Sequence, residues 1–150
     1  MLELMPHVDL SPLFRAAVDI QLRKKNVSLL ARNFDAVEPY LAGRELEVAT
    51  AIAVSAAKMD LTHVQPLIQG IGLEDAFQRT GVITRMSNDE RYGTIVDILT
   101  QERLFYHVSN FEKKPRRPPS VGLLVRYKKA VQGKGRRLPA AEGLRVWSLH

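Results

Sequence analysis

Residues Glu112 to Ser120 read EKKPRRPPS, three prolines and four cations in nine residues. No packed helix or strand is built from such a stretch, because each proline fixes φ and removes a backbone donor. The segment reads as a loop or linker, and it divides the chain electrostatically as well as conformationally. From Lys113 to His150, eleven Lys or Arg accompany a single acid, Glu142. The first 112 residues hold eleven cations and fifteen acids. The formal net charge of +6 therefore hides two halves of opposite sign. An asymmetry of this size in a small chain implies a polyanionic partner.

With 150 residues the chain fits one domain, or one domain with an appended segment, and 45% hydrophobic residues suffice for a core. The division falls between 1–111 and 112–150. The longest apolar-rich stretch, Val48 to Ala57, is interrupted by Thr50 and Ser55 and is far shorter than the roughly 18 residues of a membrane span. MLELMPHVDL carries an acid where a secretory signal would carry Lys or Arg, so no signal is expected and a cytoplasmic protein is the simplest reading. The absence of cysteine removes disulfides, thiolate metal sites and cysteine nucleophiles together.

The first forty residues read as helical. Ser11-Pro12 has the form of an N-cap followed by proline at the first helical position. Leu13, Phe14, Ala17, Val18 and Leu22 recur at helical spacing, which predicts a helix to about Arg32 with Arg23, Lys24 and Lys25 clustered on it. Asn33 can cap a second, shorter helix to Ala42, closed by Gly43. A third helix is expected from Arg44 to Lys58, its ATAIAVSAA body suited to close packing. Thr62-His63-Val64-Gln65 has capping-box form and opens a helix lined by Val64, Leu67, Ile68 and Ile71. Val82 to Leu99 admits two readings. One is a helix opened by Ser87-Asn88-Asp89-Glu90. The favoured one is a hairpin of GVITR and GTIVDI around a polar connector. Leu104 to Val108 adds a further apolar patch. In the basic part, Val121 to Val131 reads as a strand or a short helix, QGKGRR as a glycine-bearing turn, and Gly143 to Leu149 as a strand.

Taken together, residues 50–68 (TAIAVSAAKMDLTHVQPLI) carry the pattern of a helix-turn-helix. Ala53 and Ala57 supply small contacts, Met59 fills the turn, and Val64 and Leu67 anchor the second helix. Thr62, His63, Gln65 and Gln69 would then face a DNA major groove. With GVITR and GTIVDIL following, the stretch from about 45 to 100 resembles a winged-helix DNA-binding domain of MarR-like layout. That resemblance implies that Arg85 at the wing base and Arg91 at its tip approach phosphates or a minor groove. It also implies that the first helix suits a homodimer interface.

Other chemistry finds no pattern. His7, His63, His107 and His150 share no metal-ligand spacing, no phosphate-binding glycine loop is present, and no residues are ordered as a catalytic dyad or triad, so neither enzyme activity nor a metal or other cofactor is expected. The basic segment is interleaved with Tyr127 and Trp147, which could stack on exposed bases while Lys113, Lys114, Arg116, Arg117, Arg126, Lys128, Lys129, Lys134, Arg136 and Arg137 bind phosphates. A membrane surface ranks lower, since prolines break any amphipathic helix.

The expected fold is mainly α with a small β component: a winged helix-turn-helix core and a basic C-terminal extension with short strands. The expected function is nucleic-acid binding, DNA favoured over RNA, as a transcriptional regulator or accessory factor. The rival is a protein-interaction or assembly module whose basic arm alone binds RNA or DNA without sequence preference.

Overall fold

A computed structural model describes residues 11–148, so expectations resting on His7, the rest of the first ten residues, Leu149 or His150 lie outside the described residues. The helical half begins with α1 (Ser11–Arg23) and α2 (Val27–Arg32). The single helix expected through Arg32 is broken at Lys25, which takes a left-handed φ of 56°. Asn26 then caps α2 by accepting a hydrogen bond from the Leu29 N–H at 3.2 Å, which satisfies one of the new helix's orphan donors. α3 (Phe34–Val37) runs into a 3₁₀ turn, Glu38–Tyr40, and α4 (Glu45–Ala57) follows as expected. Its alanines do what small residues allow. Ala49, Ala51 and Ala56 are buried with Val48 and Ile52, so neighbouring backbones approach closely. α5 (Val64–Ile71) starts after His63, and no side chain caps it. The capping box expected of Thr62 and Gln65 is therefore not formed.

Among the described residues seven strands follow: β1 (Thr80–Met86), β2 (Tyr92–Asp97), β3 (Arg103–His107), β4 (Leu124–Arg126), β5 (Lys129–Val131), β6 (Ala140–Glu142) and β7 (Arg145–Val146). They form one mixed sheet in the order β5-β6-β3-β2-β1-β4-β7. All pairings are antiparallel except β3 with β6. Only Tyr127 and Lys128 separate β4 from β5, although the two lie at opposite sides of the strand order. A curled sheet reconciles the two facts, and the result is a half-barrel.

The expectation of a mainly α fold is thus overturned: 39% of the chain is helical and 23% is strand. The favoured hairpin of β1 and β2 does form, but it lies inside the sheet. β4 pairs with the far side of β1 and β3 with the far side of β2, so it is no projecting two-stranded wing. Residues 112–148 supply β4 to β7, and with them Val125, Ala141 and Leu144 of the half-barrel's core. Burying a leucine such as Leu144 contributes about 1.5–3 kcal/mol, which makes this basic segment part of the folding unit.

Two cores meet at β1. In the helical layer Leu30, Ile52, Leu67 and Phe77 pack with Val82, Ile98 and Leu124. Inside the half-barrel Ile83, Ile95, Leu104 and Tyr106 pack with Val125 and Leu144. The buried Asp97 carboxylate accepts the Leu99 and Thr100 N–H groups at 2.9 and 3.0 Å and the Tyr127 hydroxyl at 2.6 Å. Those three donors offset the cost of burying a charge. At the β1–β2 register shift between Ile83 and Arg85, Gly93 lies so close that a Cβ there would be 2.1 Å from the Arg85 carbonyl oxygen. Only glycine fits this crossing of backbones.

Candidate nucleic-acid interface

Strand alternation sorts β2 and β3 into an inner and an outer face. Gly93, Ile95, Asp97, Leu104 and Tyr106 are buried, while Tyr92, Thr94, Val96, Arg103, Phe105 and His107 lie on the other side. Pairing sets the outer residues in rows. Tyr92 stands opposite His107, Thr94 lies between Arg85 of β1 and Phe105, and Val96 stands opposite Arg103. The result is an aromatic platform with a cation at each of two rows. Tyr92 is 48% exposed, and its ring centroid lies 5.9 Å from that of Phe105.

The turn 132–139, between β5 and β6, reaches over this platform. The Arg136 guanidinium carbon lies 5.4 Å from the centre of the Phe105 ring, within cation–π range. Two features hold it there. The Gln132 side-chain amide donates to the Arg136 carbonyl at 3.0 Å. Gly133 leaves the space the guanidinium needs, since a Cβ at that position would meet Arg136 Nε at 3.0 Å. Arg136, Arg137 and Leu138 with Phe105 line an open groove of about 370 Å³.

At the other end of the platform His107 is held by its own loop. Its Nδ1 accepts the Ser109 N–H at 3.1 Å and lies 2.8 Å from the Ser109 hydroxyl. With Nδ1 as acceptor, the neutral ring carries its proton on Nε2, which is the nitrogen left to donate to a ligand.

The residues singled out from sequence are distributed over several places. Thr62, His63, Gln65 and Gln69 lie on or just before α5, which packs on α2 and α4, and no hydrogen bond engages their side chains among the described residues. Arg85 is exposed in the platform's central row. Arg91, in the β1–β2 connection, has Nε 3.9 Å from Asp89. The carboxyl of Asp89 is held below its ordinary range, first by the Ser87 hydroxyl and then by the Arg91 backbone N–H.

The basic segment divides by role. Arg126 donates to the Asp75 and Ala76 carbonyls at 3.2 and 2.6 Å. Lys128 pairs with Glu112 and Lys129 with Glu142. These three serve the fold. Lys113, Lys114, Arg116 and Arg117 on the proline loop and Lys134, Arg136 and Arg137 on the glycine turn make no ion pair among the described residues.

The aromatic expectation is corrected. Tyr127 is buried and donates to Asp97. Trp147 stacks on Phe77 at 5.0 Å and 12°, and its indole N–H donates to the Ala76 carbonyl at 2.9 Å. The Tyr127 ring is closed to a base, and Trp147 is half-buried with one face taken by Phe77. On the outer face of β2 and β3, Tyr92 is exposed and Phe105 half-buried beside it, and sequence reasoning missed both although every second residue of YGTIVD and RLFYH is buried. In α1, Leu13 and Ile20 are 71% and 41% exposed, and a dimer interface through this helix would rest on them.

Among the described residues, no helix is long and apolar enough to cross a membrane. Nor does any group of three or more His, Asp or Glu among them lie where it could hold a metal ion. No protein-family model matches the chain, and no curated protein matches its sequence.

Proposed function

We propose that this protein binds single-stranded nucleic acid along the outer face of β2 and β3. The observation that carries the reading is the grouping of Tyr92, Phe105 and His107 on one sheet face with Arg136 above Phe105. Unpaired bases stack on such rings whatever their identity, and neighbouring cations take the phosphates. A stacked duplex offers no base faces to these rings, so the surface suits single strands over duplex.

The layout adds support by analogy. With β4 and β5 counted as one bent strand, β1, β2, β3, β4–β5 and β6 follow the plan of the OB-type barrel. Such barrels take oligonucleotides on the face of their second and third strands, between the loops that join strands one and two and strands four and five. Here those loops are 87–91, with Arg91, and 132–139, with Arg136. The two loops of the basic segment then become phosphate-binding arms rather than an independent tail.

The test is fluorescence anisotropy with labelled single-stranded DNA, single-stranded RNA and duplex DNA at two salt concentrations. Single strands should bind more tightly than duplex, and Y92A and F105A should each weaken binding by about 1–3 kcal/mol. With about 5 phosphates neutralised, the log–log salt slope should be roughly −3.5. Equal affinity for duplex, or binding untouched by both substitutions, would overturn the reading.

A further inference from the structure

Beyond the Tyr92–His107 row, the chain opens a cleft of about 570 Å³ that the platform itself does not use. One wall is the β1–β2 connection, with Asp89 and Glu90; the opposite wall is the proline loop, with Lys114, Arg116 and Arg117. The floor between them is apolar, formed by Val108, Phe111 and the loop's prolines.

Two features stand out, one in the cleft and one behind it. The first is electrostatic. Opposite charges face each other across it, yet among the described residues no ion pair crosses, since Asp89 pairs only with Arg91 on its own side. Three prolines stiffen the cationic wall and keep it from collapsing onto the acidic one. The second is an unsatisfied donor. Tyr106 is fully buried, and its hydroxyl has no hydrogen-bond partner. Its ring meets the edge of Phe111 at 6.4 Å, and burial first, with the Glu90 charge second, pushes its hydroxyl above the ordinary range. Tyr106 does not itself line the cleft; its ring packs behind the floor residue Phe111.

A ligand that fits must carry hydrogen-bond donors toward the carboxylates, a flat apolar body over the floor, and negative charge toward the arginines. A nucleotide does all three. Guanine does so best, because its N1–H and exocyclic amino group are adjacent donors that a carboxylate accepts as a pair. We propose that the cleft is a guanine-selective nucleotide site at the end of the β2–β3 platform, with Glu90 accepting from the base and Arg116 and Arg117 holding its phosphate. The Tyr92–His107 row leads into it, since Arg91 and Val108 directly continue β2 and β3 and are joined by the Val108 N–H to the Arg91 carbonyl at 2.7 Å. The assignment of a strand-borne guanine rests on the reading of that platform; the cleft's own chemistry does not.

Two measurements on the full chain separate the claims. In the first, eight-nucleotide single strands with one guanine, inosine or adenine at either end, all other bases being thymine, are compared by anisotropy. Guanine at one end should bind on the order of tenfold more tightly than adenine there, with inosine between, as expected for a paired hydrogen bond to a base edge. E90Q should abolish that preference, read as the ratio of guanine-ended to adenine-ended affinity. In the second, GMP, IMP and AMP are titrated into ¹⁵N-labelled protein. GMP should shift the amides of Glu90, Ser109 and Phe111, AMP should do so far less, and R116A/R117A should weaken the GMP response. Strands that bind without any terminal preference, together with amides unmoved by GMP, overturn the cleft and leave the platform standing. A GMP response without oligonucleotide binding keeps the cleft and overturns the platform. Retention of the guanine preference by E90Q overturns the role given to Glu90.

Discussion

Two surfaces of this molecule compete for the role of nucleic-acid reader, and they differ in what surrounds them. α5 and the turn before it carry Thr62, Gln65 and Gln69, polar and uncharged, on a chain segment where Glu45, Glu47, Asp60, Glu74 and Asp75 outnumber the cations. The outer face of β2 and β3 presents rings, with Arg85 and Arg103 in its rows and Arg136 overhead. Phosphate neutralisation supplies much of the affinity for nucleic acid. A surface with donors but no positive field therefore begins at a disadvantage to one that combines stacking with charge. Local sequence pattern draws attention to the helix, whereas the tertiary fold concentrates the relevant chemistry on the sheet.

The comparison can be broken most decisively at the rings. Replacing Tyr92 and Phe105 together by Ala should lower single-strand affinity by about 2–6 kcal/mol, the sum of two stacking losses. Circular dichroism should be unchanged, since both side chains sit on the outer face. A smaller effect is expected of R136A, about 1 kcal/mol from the lost cation–π and phosphate contacts. R136K sharpens that point. It should preserve the salt slope yet fail to restore full affinity, because an ammonium lacks the planar stacking of a guanidinium. Smaller again is the change of salt slope with K134A, about 0.7 of a unit if that lysine meets one phosphate of a single strand. At the bottom of the scale, T62A/H63A/Q65A/Q69A should alter affinity for single strands by less than about 0.3 kcal/mol. A large loss there, with little at Tyr92 and Phe105, would reverse the ranking of the two surfaces.

The helical half was largely legible in the sequence because its information is local. An alanine-rich body marks α4, and glycine follows α5 at Gly72, which takes a left-handed φ of 82°. The break at Lys25 was missed because nothing in the apolar period changes there; the signal was Asn26, a capping residue inside an unbroken pattern. The sheet was legible at β1 and β2, whose β-branched runs stand out, and at β7 within the run Gly143 to Leu149, but hardly elsewhere. β1 and β2 have seven and six residues, whereas β4, β5 and β6 have three each and β7 two. Three residues cannot show a period of two, and their pairings reach far along the chain, as from Thr80 to Arg126. The site suffered from the same cause. Phe105 and Arg136 become neighbours only because β6 returns beside β3. The expectation that Tyr127 and Trp147 stack on bases failed because composition shows aromatic residues near cations without showing which side of a strand they take.

Alkali offers a separate probe of the half-barrel. Burial first, and then the bond to Asp97, push the Tyr127 phenol well above its ordinary range. The folded state favours the neutral phenol, so its contribution is fully present below a pH of about 10 and is lost as the pH climbs beyond that. Y127F should flatten the alkaline limb of a thermal-melt series.

The antiparallel pairing of β1 with β4 spans the proline loop, and it has a consequence for anyone who cuts the chain. A protease that nicks between Lys113 and Lys114 severs the backbone while the sheet still joins the two pieces. The nicked protein should elute as one species under native conditions and part only in denaturant. Removing residues 113–150 outright is a different operation: it strips β1 and β3 of neighbours and opens the half-barrel's interior to water. A shortened chain of that kind would report on folding, and point substitutions in the loops are the way to question binding.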